Sequence, residues 1–136
     1  MTSPQDNEAT VRELIRAAYA RDYDRAASLA SPDIEVVDET NGQRYIGHEG
    51  LKQFVEYWLT NFRHHQQVIT NLVADAEGVA IEYVFETWKG SEPNVSTDED
   101  RMTTRFVPSR SAAFFQMTEG KVAGYHLYYN PPESYP

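Results

Sequence analysis

The hydrophobic period of this chain of 136 residues changes partway along, and that change constrains the fold more than any other feature. Before it, apolar residues recur at helical spacing. Leu51, Phe54, Val55, Trp58, Leu59 and Phe62 form the cleanest stripe of this kind, which predicts a helix after Gly47-His48-Glu49-Gly50. Ser3-Pro4-Gln5-Asp6 supplies a capping hydroxyl, a proline at the first helical position and an acid in the first turn. Val11, Leu14, Ile15 and Ala18 follow at helical spacing, so a first helix is predicted from about Pro4 to Arg21. Asp22-Tyr23-Asp24 restarts a short helix carrying Tyr23, Ala26, Ala27 and Ala30 on one side. Ser31-Pro32-Asp33 closes it, because a residue before proline resists helical geometry.

Ile34 to Asp38 is β-branched and reads as a strand, and Thr40-Asn41-Gly42-Gln43 turns it back into Arg44-Tyr45-Ile46 as a hairpin. From Gln66 onward residues alternate. Val68 to Ala74 is one strand, Asp75-Ala76-Glu77-Gly78 a turn, and Val79 to Trp88 a longer strand with Val79, Ile81, Tyr83 and Phe85 on its apolar side. Gly90 to Asp100 reads as an exposed loop. Two strands complete the chain, Arg105 to Met117 with Pro108 marking a bulge or edge, and Lys121 to Asn130, joined by the turn Thr118-Glu119-Gly120. Helices followed by strands at this length predict one α+β domain over residues 1–136, its helices packed on one face of a curved antiparallel sheet. Such a sheet curls into a cone, whose wide end is the expected site for a small molecule.

Charge and composition narrow the partners. Twelve basic against twenty-one acidic side chains leave a net charge of −9, which repels nucleic acid and anionic membrane surfaces. Nothing at the N-terminus resembles a signal peptide and no window approaches a membrane span, so a cytoplasmic protein is expected. With no cysteine, thiolate chemistry and cysteine-based zinc sites are excluded. Adjacent His64 and His65 point in opposite directions in an extended segment, so no metal site is expected there.

The element order, with Ile46-Gly47-His48-Glu49-Gly50-Leu51 opening the third helix and Glu119-Gly120-Lys121-Val122 preceding a strand that ends Tyr128-Tyr129-Asn130, resembles the SnoaL-like branch of the nuclear transport factor 2 superfold. That superfold hosts polyketide cyclases, ketosteroid isomerases, epoxide hydrolases, dehydratases and binding proteins, so the resemblance implies a fold more narrowly than a reaction. Tyr19 to Asp38 aligns without a gap to the stretch of ketosteroid isomerases that ends in their catalytic aspartate, which places Asp38 at the base position. The oxyanion donors of those enzymes fall on Leu14 and near Ala112, which implies that steroid isomerisation is not the activity. In SnoaL-like cyclases the last strand commonly closes with an aspartate, and Asn130 holds that place here. An amide can orient a substrate but cannot take a proton at neutral pH.

Three residues are therefore the candidates for chemistry. A carboxylate on Asp38, at a strand end facing an apolar cone, is expected to have its pKa raised by desolvation, although capping of the following turn explains an aspartate there equally well. Asn130 is the candidate orienting group. His126 shares strand parity with Tyr128 and Asn130; the family register implies Tyr125, Leu127 and Tyr129 inside and His126 outside, and a bulge would reverse this and make His126 an acid/base group. Tyr19, Tyr57, Trp58, Phe62, Tyr83, Phe85, Phe115 and Tyr125, with Tyr129, are the candidate ligand wall, several of them equally at home in an ordinary core. The expected function is cofactor-free acid/base chemistry on an apolar, polyketide-like metabolite by a homodimer. The alternatives are a non-catalytic small-molecule binder of the same fold, or an interaction domain that uses the outer sheet face.

Overall fold

Ser3 caps the first helix, its hydroxyl accepting the Asp6 N–H at 3.1 Å, and proline follows at the first turn. This helix, α1, spans Pro4–Tyr19 and buries Val11, Leu14, Ala17 and Ala18. Asp22 caps α2 (Tyr23–Ser28) in the same way through the Arg25 N–H. The computed structural model describes residues 2–61, 64–89 and 105–130, and of these the side chains of 61, 64–66, 86–89 and 105–109 are not described. Phe62, the expected loop Gly90–Asp100 and the side chains of His64 and His65 thus lie outside the described residues.

Six strands follow the first two helices: β1 (Ala30–Asp38), β2 (Gln43–Ile46), β3 (His64–Ala74), β4 (Gly78–Lys89), β5 (Arg105–Thr118) and β6 (Lys121–Tyr129), with α3 (Gly47–Asn61) between β2 and β3. Their order in the single sheet is β2-β1-β6-β5-β4-β3. Neighbours are antiparallel except β1 and β6, which run parallel, so the sheet is mixed. A parallel pair needs a long crossover, and here α3 and four strands supply it. β1 begins earlier than the expected Ile34. Pro32, placed by the sequence at a helix end, instead lies where the β1–β6 register breaks between Ala30 and Glu35, a position that asks no ladder hydrogen bond of it. Pro108 lies where β5 has only β4 beside it, since the β5–β6 ladder stops at Ser111 and Tyr129.

The core lies between the helices and one face of the sheet. Ile81, Tyr83 and Phe85 of β4, Ala113 and Phe115 of β5, and Tyr125 and Leu127 of β6 are all buried there, together with Leu51, Phe54, Val55 and Leu59 of α3. Phe54 touches the rings of Tyr45 and Tyr125, each at 5.5 Å between centroids, and so ties α3 to the edge strand β2 and the inner strand β6. Gly50 permits the approach of α3 to the hairpin. A Cβ there would stand 2.8 Å from the Tyr45 carbonyl carbon. Asn7, fully buried, joins α1 to the β3–β4 turn by donating its amide to the Asp75 carbonyl at 2.9 Å, and it accepts from the Thr2 hydroxyl. No helix among the described residues is long and apolar enough to cross a membrane.

Candidate functional site

Asp38 is the last residue of β1 and is 2% exposed. It follows Val36, whose side chain is in the core, and alternation along the strand therefore turns its carboxylate toward the helices. One oxygen, Oδ1, accepts the backbone N–H groups of Thr40 and Asn41, each at 3.1 Å, and so closes the turn that leads into β2. The other, Oδ2, accepts the phenol O–H of Tyr129 at 2.9 Å. The turn-capping role and the inward-facing carboxylate are thus one arrangement. Three donors give an ionised carboxylate the hydrogen bonds it would otherwise take from water.

Tyr129 is held as firmly as the carboxylate it serves. The Thr40 hydroxyl donates to the Tyr129 carbonyl at 2.9 Å and accepts the Tyr129 N–H at 3.0 Å, which locks the end of β6 to the β1 turn. Trp58 stands edge-on to the Tyr129 ring, 5.2 Å between centroids at 86°. Burial, the hydrogen bond to Asp38 and the Asp38 charge push the Tyr129 hydroxyl up, so it remains a neutral donor through the physiological range. Tyr45, paired across the hairpin with Val36, is also pushed up, first by burial and then by the charge of Asp38.

A second set of hydroxyls lies deeper in the core. Tyr83 and Tyr125 are buried, and both are raised well above the ordinary phenol range, chiefly by burial. The charge on Asp38 reaches both phenols. Tyr19 of α1 is raised by burial and its ring lies 6.4 Å from that of Phe85. Phe115, fully buried, lies 4.5 Å from Tyr125, and Phe85 meets Trp58 edge-on at 5.6 Å. These rings, expected as a ligand wall, pack in the core on the side of the sheet that Asp38 faces.

One of the three candidate chemical residues stands elsewhere. His126 lies on the outer face of the sheet, opposite Val37 and Phe114 in register, with its Nδ1 3.1 Å from the Glu39 carboxylate. The bulge between Gln116 and Met117 comes before this part of the ladder and leaves Tyr125 and Leu127 inside, so no reversal brings His126 to Asp38. Asn130 is exposed beyond the end of β6 and lines an open cleft with Thr40, Arg110, Tyr128 and Tyr129. Tyr57 is half-exposed on α3. Thr40, Asn41 and Tyr45 are the members of the site that sequence reasoning passes over. Hairpin pairing was the available signal for Tyr45, since the residue facing Val36 shares its side of the sheet.

The SnoaL-like domain family matches residues 11–125 of this chain. No curated protein matches. Among solved structures, a protein from Jannaschia sp. CCS1 named for SnoaL-like polyketide cyclases shares 16% identity over 96% of this chain and 89% of its own, with a TM-score of 0.76. One from Kribbella flavida DSM 17836 named for ketosteroid isomerases shares 14% over 98% and 84%, TM-score 0.69. A hypothetical protein with a ketosteroid isomerase-like fold from Catenulispora acidiphila DSM 44928, solved with trimethylamine, shares 16% over 95% and 88%, TM-score 0.69. At such identities the likeness is one of fold.

Proposed function

The chain belongs to the SnoaL-like domain family, and from that premise we propose that it is an enzyme using cofactor-free acid/base chemistry on an apolar, polyketide-like metabolite, of the cyclase, isomerase, dehydratase or epoxide hydrolase type. The observation that carries this reading is the 2%-exposed carboxylate of Asp38, turned toward aromatic rings and bonded to a phenol that stays protonated. In it Asp38 takes a proton from the substrate or returns one, and Tyr129 orients the carboxylate through its single O–H. Tyr19, Trp58, Tyr83, Phe85, Phe115 and Tyr125 shape the space the substrate enters.

A second reading rests on an observation of its own. Both carboxylate oxygens of Asp38 already have intramolecular donors, as a residue that only closes a turn would have. On that reading the protein binds a small molecule without converting it. Asp38→Asn separates the two, because the amide oxygen can still accept from Thr40 and Asn41 while the group can no longer carry a proton. A thermal-shift screen of a metabolite panel identifies binders, and each is then searched for product. Turnover that Asp38→Asn abolishes in a folded protein supports the enzyme. Binding without conversion at any pH, unchanged in Asp38→Asn, overturns it in favour of the binder.

The homodimer belongs to the same proposal. β3 is a sheet edge eleven residues long, and a second copy's β3 could continue the hydrogen-bond ladder there. A molar mass of one chain across the working concentration range would remove this part of the proposal.

A further inference from the structure

The buried polar side chains of Asn7 and Asp38 find their partners within the chain. Asn7 donates to the Asp75 carbonyl and accepts from the Thr2 hydroxyl, and Asp38 accepts from three donors. Gln67 breaks the pattern: its Nε2 is shut off from solvent and has no hydrogen-bond partner among the described residues. A donor taken out of water without an acceptor destabilises the free protein, and native interiors contain few of them. Such an atom points to an acceptor that arrives from outside the chain.

Register places the amide on the inner face of the sheet. Gln67 of β3 pairs directly with Phe85 of β4, which is buried in the core, so the two side chains share that face. Two residues along, Ile69 pairs with Tyr83 and packs against the same core. Glutamine therefore stands in a row where an apolar side chain of the same size would pack without leaving a donor unpaired. Gln67 as a whole is only half-buried and its terminal torsion is soft, so the amide can turn toward a molecule entering along the sheet. β4, β5 and β6 lie between β3 and β1, which sets Gln67 about 19 Å from Asp38 along the sheet. Trp58 bridges the interval, edge-on to Tyr129 at 5.2 Å and to Phe85 at 5.6 Å.

We propose that Gln67 determines specificity: its amide donates to a carbonyl oxygen at the end of the ligand remote from Asp38, with the body of the ligand along Phe85 and Trp58. The substrate class is then an elongated polycyclic ketone, preferred over a plain hydrocarbon of the same outline because only the ketone supplies the acceptor that Nε2 lacks. The inference rests on the reading that the inner face receives an apolar metabolite. It does not depend on whether Asp38 converts that molecule.

Fluorescence titration of the full chain with 2-acetylanthracene and with 2-ethylanthracene, which has the same outline and no carbonyl, tests the assignment. Both are expected to saturate the parent. Gln67→Met keeps the volume and removes the donor, so it is expected to weaken the ketone about tenfold and to leave the hydrocarbon within about twofold. With a carbon-13 label in the carbonyl, the infrared band of the bound ketone should lie at lower frequency in the parent than in Gln67→Met, the signature of an accepted hydrogen bond. Without ligand, Gln67→Met is expected to melt a few degrees higher, because the unpaired donor is gone. A lower melting temperature would show an amide already satisfied in the free protein and overturns the inference. Equal weakening of both probes, an unchanged carbonyl band, or a ketone that does not saturate overturns it too. Hydrocarbon binding that persists while the ketone shows no dependence on Gln67 removes this inference alone; failure of both probes and of the whole metabolite panel removes the premise with it. None of these readouts uses turnover, so they stand apart from the Asp38→Asn test.

Discussion

Replacing Tyr129 by phenylalanine removes one hydroxyl and almost nothing else, because the ring that meets Trp58 at 5.2 Å remains. The hydroxyl lost is the donor to Asp38 Oδ2 at 2.9 Å. A hydrogen bond to a charged group contributes about 1.5–3 kcal/mol, and a neutral one about 0.5–1.5 kcal/mol. Tyr129→Phe in the parent is therefore expected to cost about 2 kcal/mol. In an Asp38→Asn background the amide oxygen stays with Thr40 and Asn41 and the NH2 donates a neutral hydrogen bond to the Tyr129 oxygen, so the same change is expected to cost about 1 kcal/mol, which leaves a coupling of about 1 kcal/mol in the double-mutant cycle. Urea denaturation at pH 7 reads both numbers. With a slope of roughly 2 kcal/mol per molar, the first substitution lowers the midpoint by about 1 M and the second by about half that. Equal costs in both backgrounds would show that the carboxylate charge does not reach Tyr129, and costs near zero in both would show that the bond carries no stability. Either result would remove the physical basis on which Asp38 and Tyr129 are treated as one unit.

Two further outcomes follow from other parts of the molecule. The hydroxyls of Tyr19, Tyr83, Tyr125 and Tyr129 all have their pKa raised above the ordinary value of 10.0, so the unfolded chain gives up those protons first; stability is complete below about pH 10 and falls as the pH rises beyond it. Absorbance at the phenolate band, followed with circular dichroism, should show these groups ionising only with loss of structure; nine tyrosines titrating together near pH 10 in a folded protein would contradict this. Gly50→Ala gains up to about 1 kcal/mol in helix propensity but drives a Cβ to 2.8 Å from the Tyr45 carbonyl carbon, and overpacking against backbone costs about 1–3 kcal/mol. The variant should melt several degrees lower, and a higher melting temperature would refute the close approach.

The helices were legible because each signal is local. Ser3 and Asp22 cap within three residues of themselves, and the α3 stripe repeats within its own length. The face of each long strand was legible too, since period-two alternation along Val79 to Phe85 matches their burial. Asp38 was singled out by its alignment and strand position. Tyr129 was expected as a wall residue and as a substrate-holding hydroxyl, and not as the partner of Asp38, because a phenol in β6 and a carboxylate in β1 are brought together by a parallel pairing that nothing in either segment announces. Asn130 shows the same limit from the other side. Its position matched a family pattern, yet it lies past the end of β6, exposed in an open cleft that also takes in Thr40, Arg110 and Tyr129.

What the order of residues determined by itself was thus the kind and sequence of elements and the inward or outward sense of each strand, since capping, periodicity and turn chemistry act over a few neighbouring residues. What only the tertiary structure decided was which elements lie side by side. The parallel β1–β6 pairing set Tyr129 against Asp38, because contacts between residues distant along the chain depend on how the whole sheet is assembled.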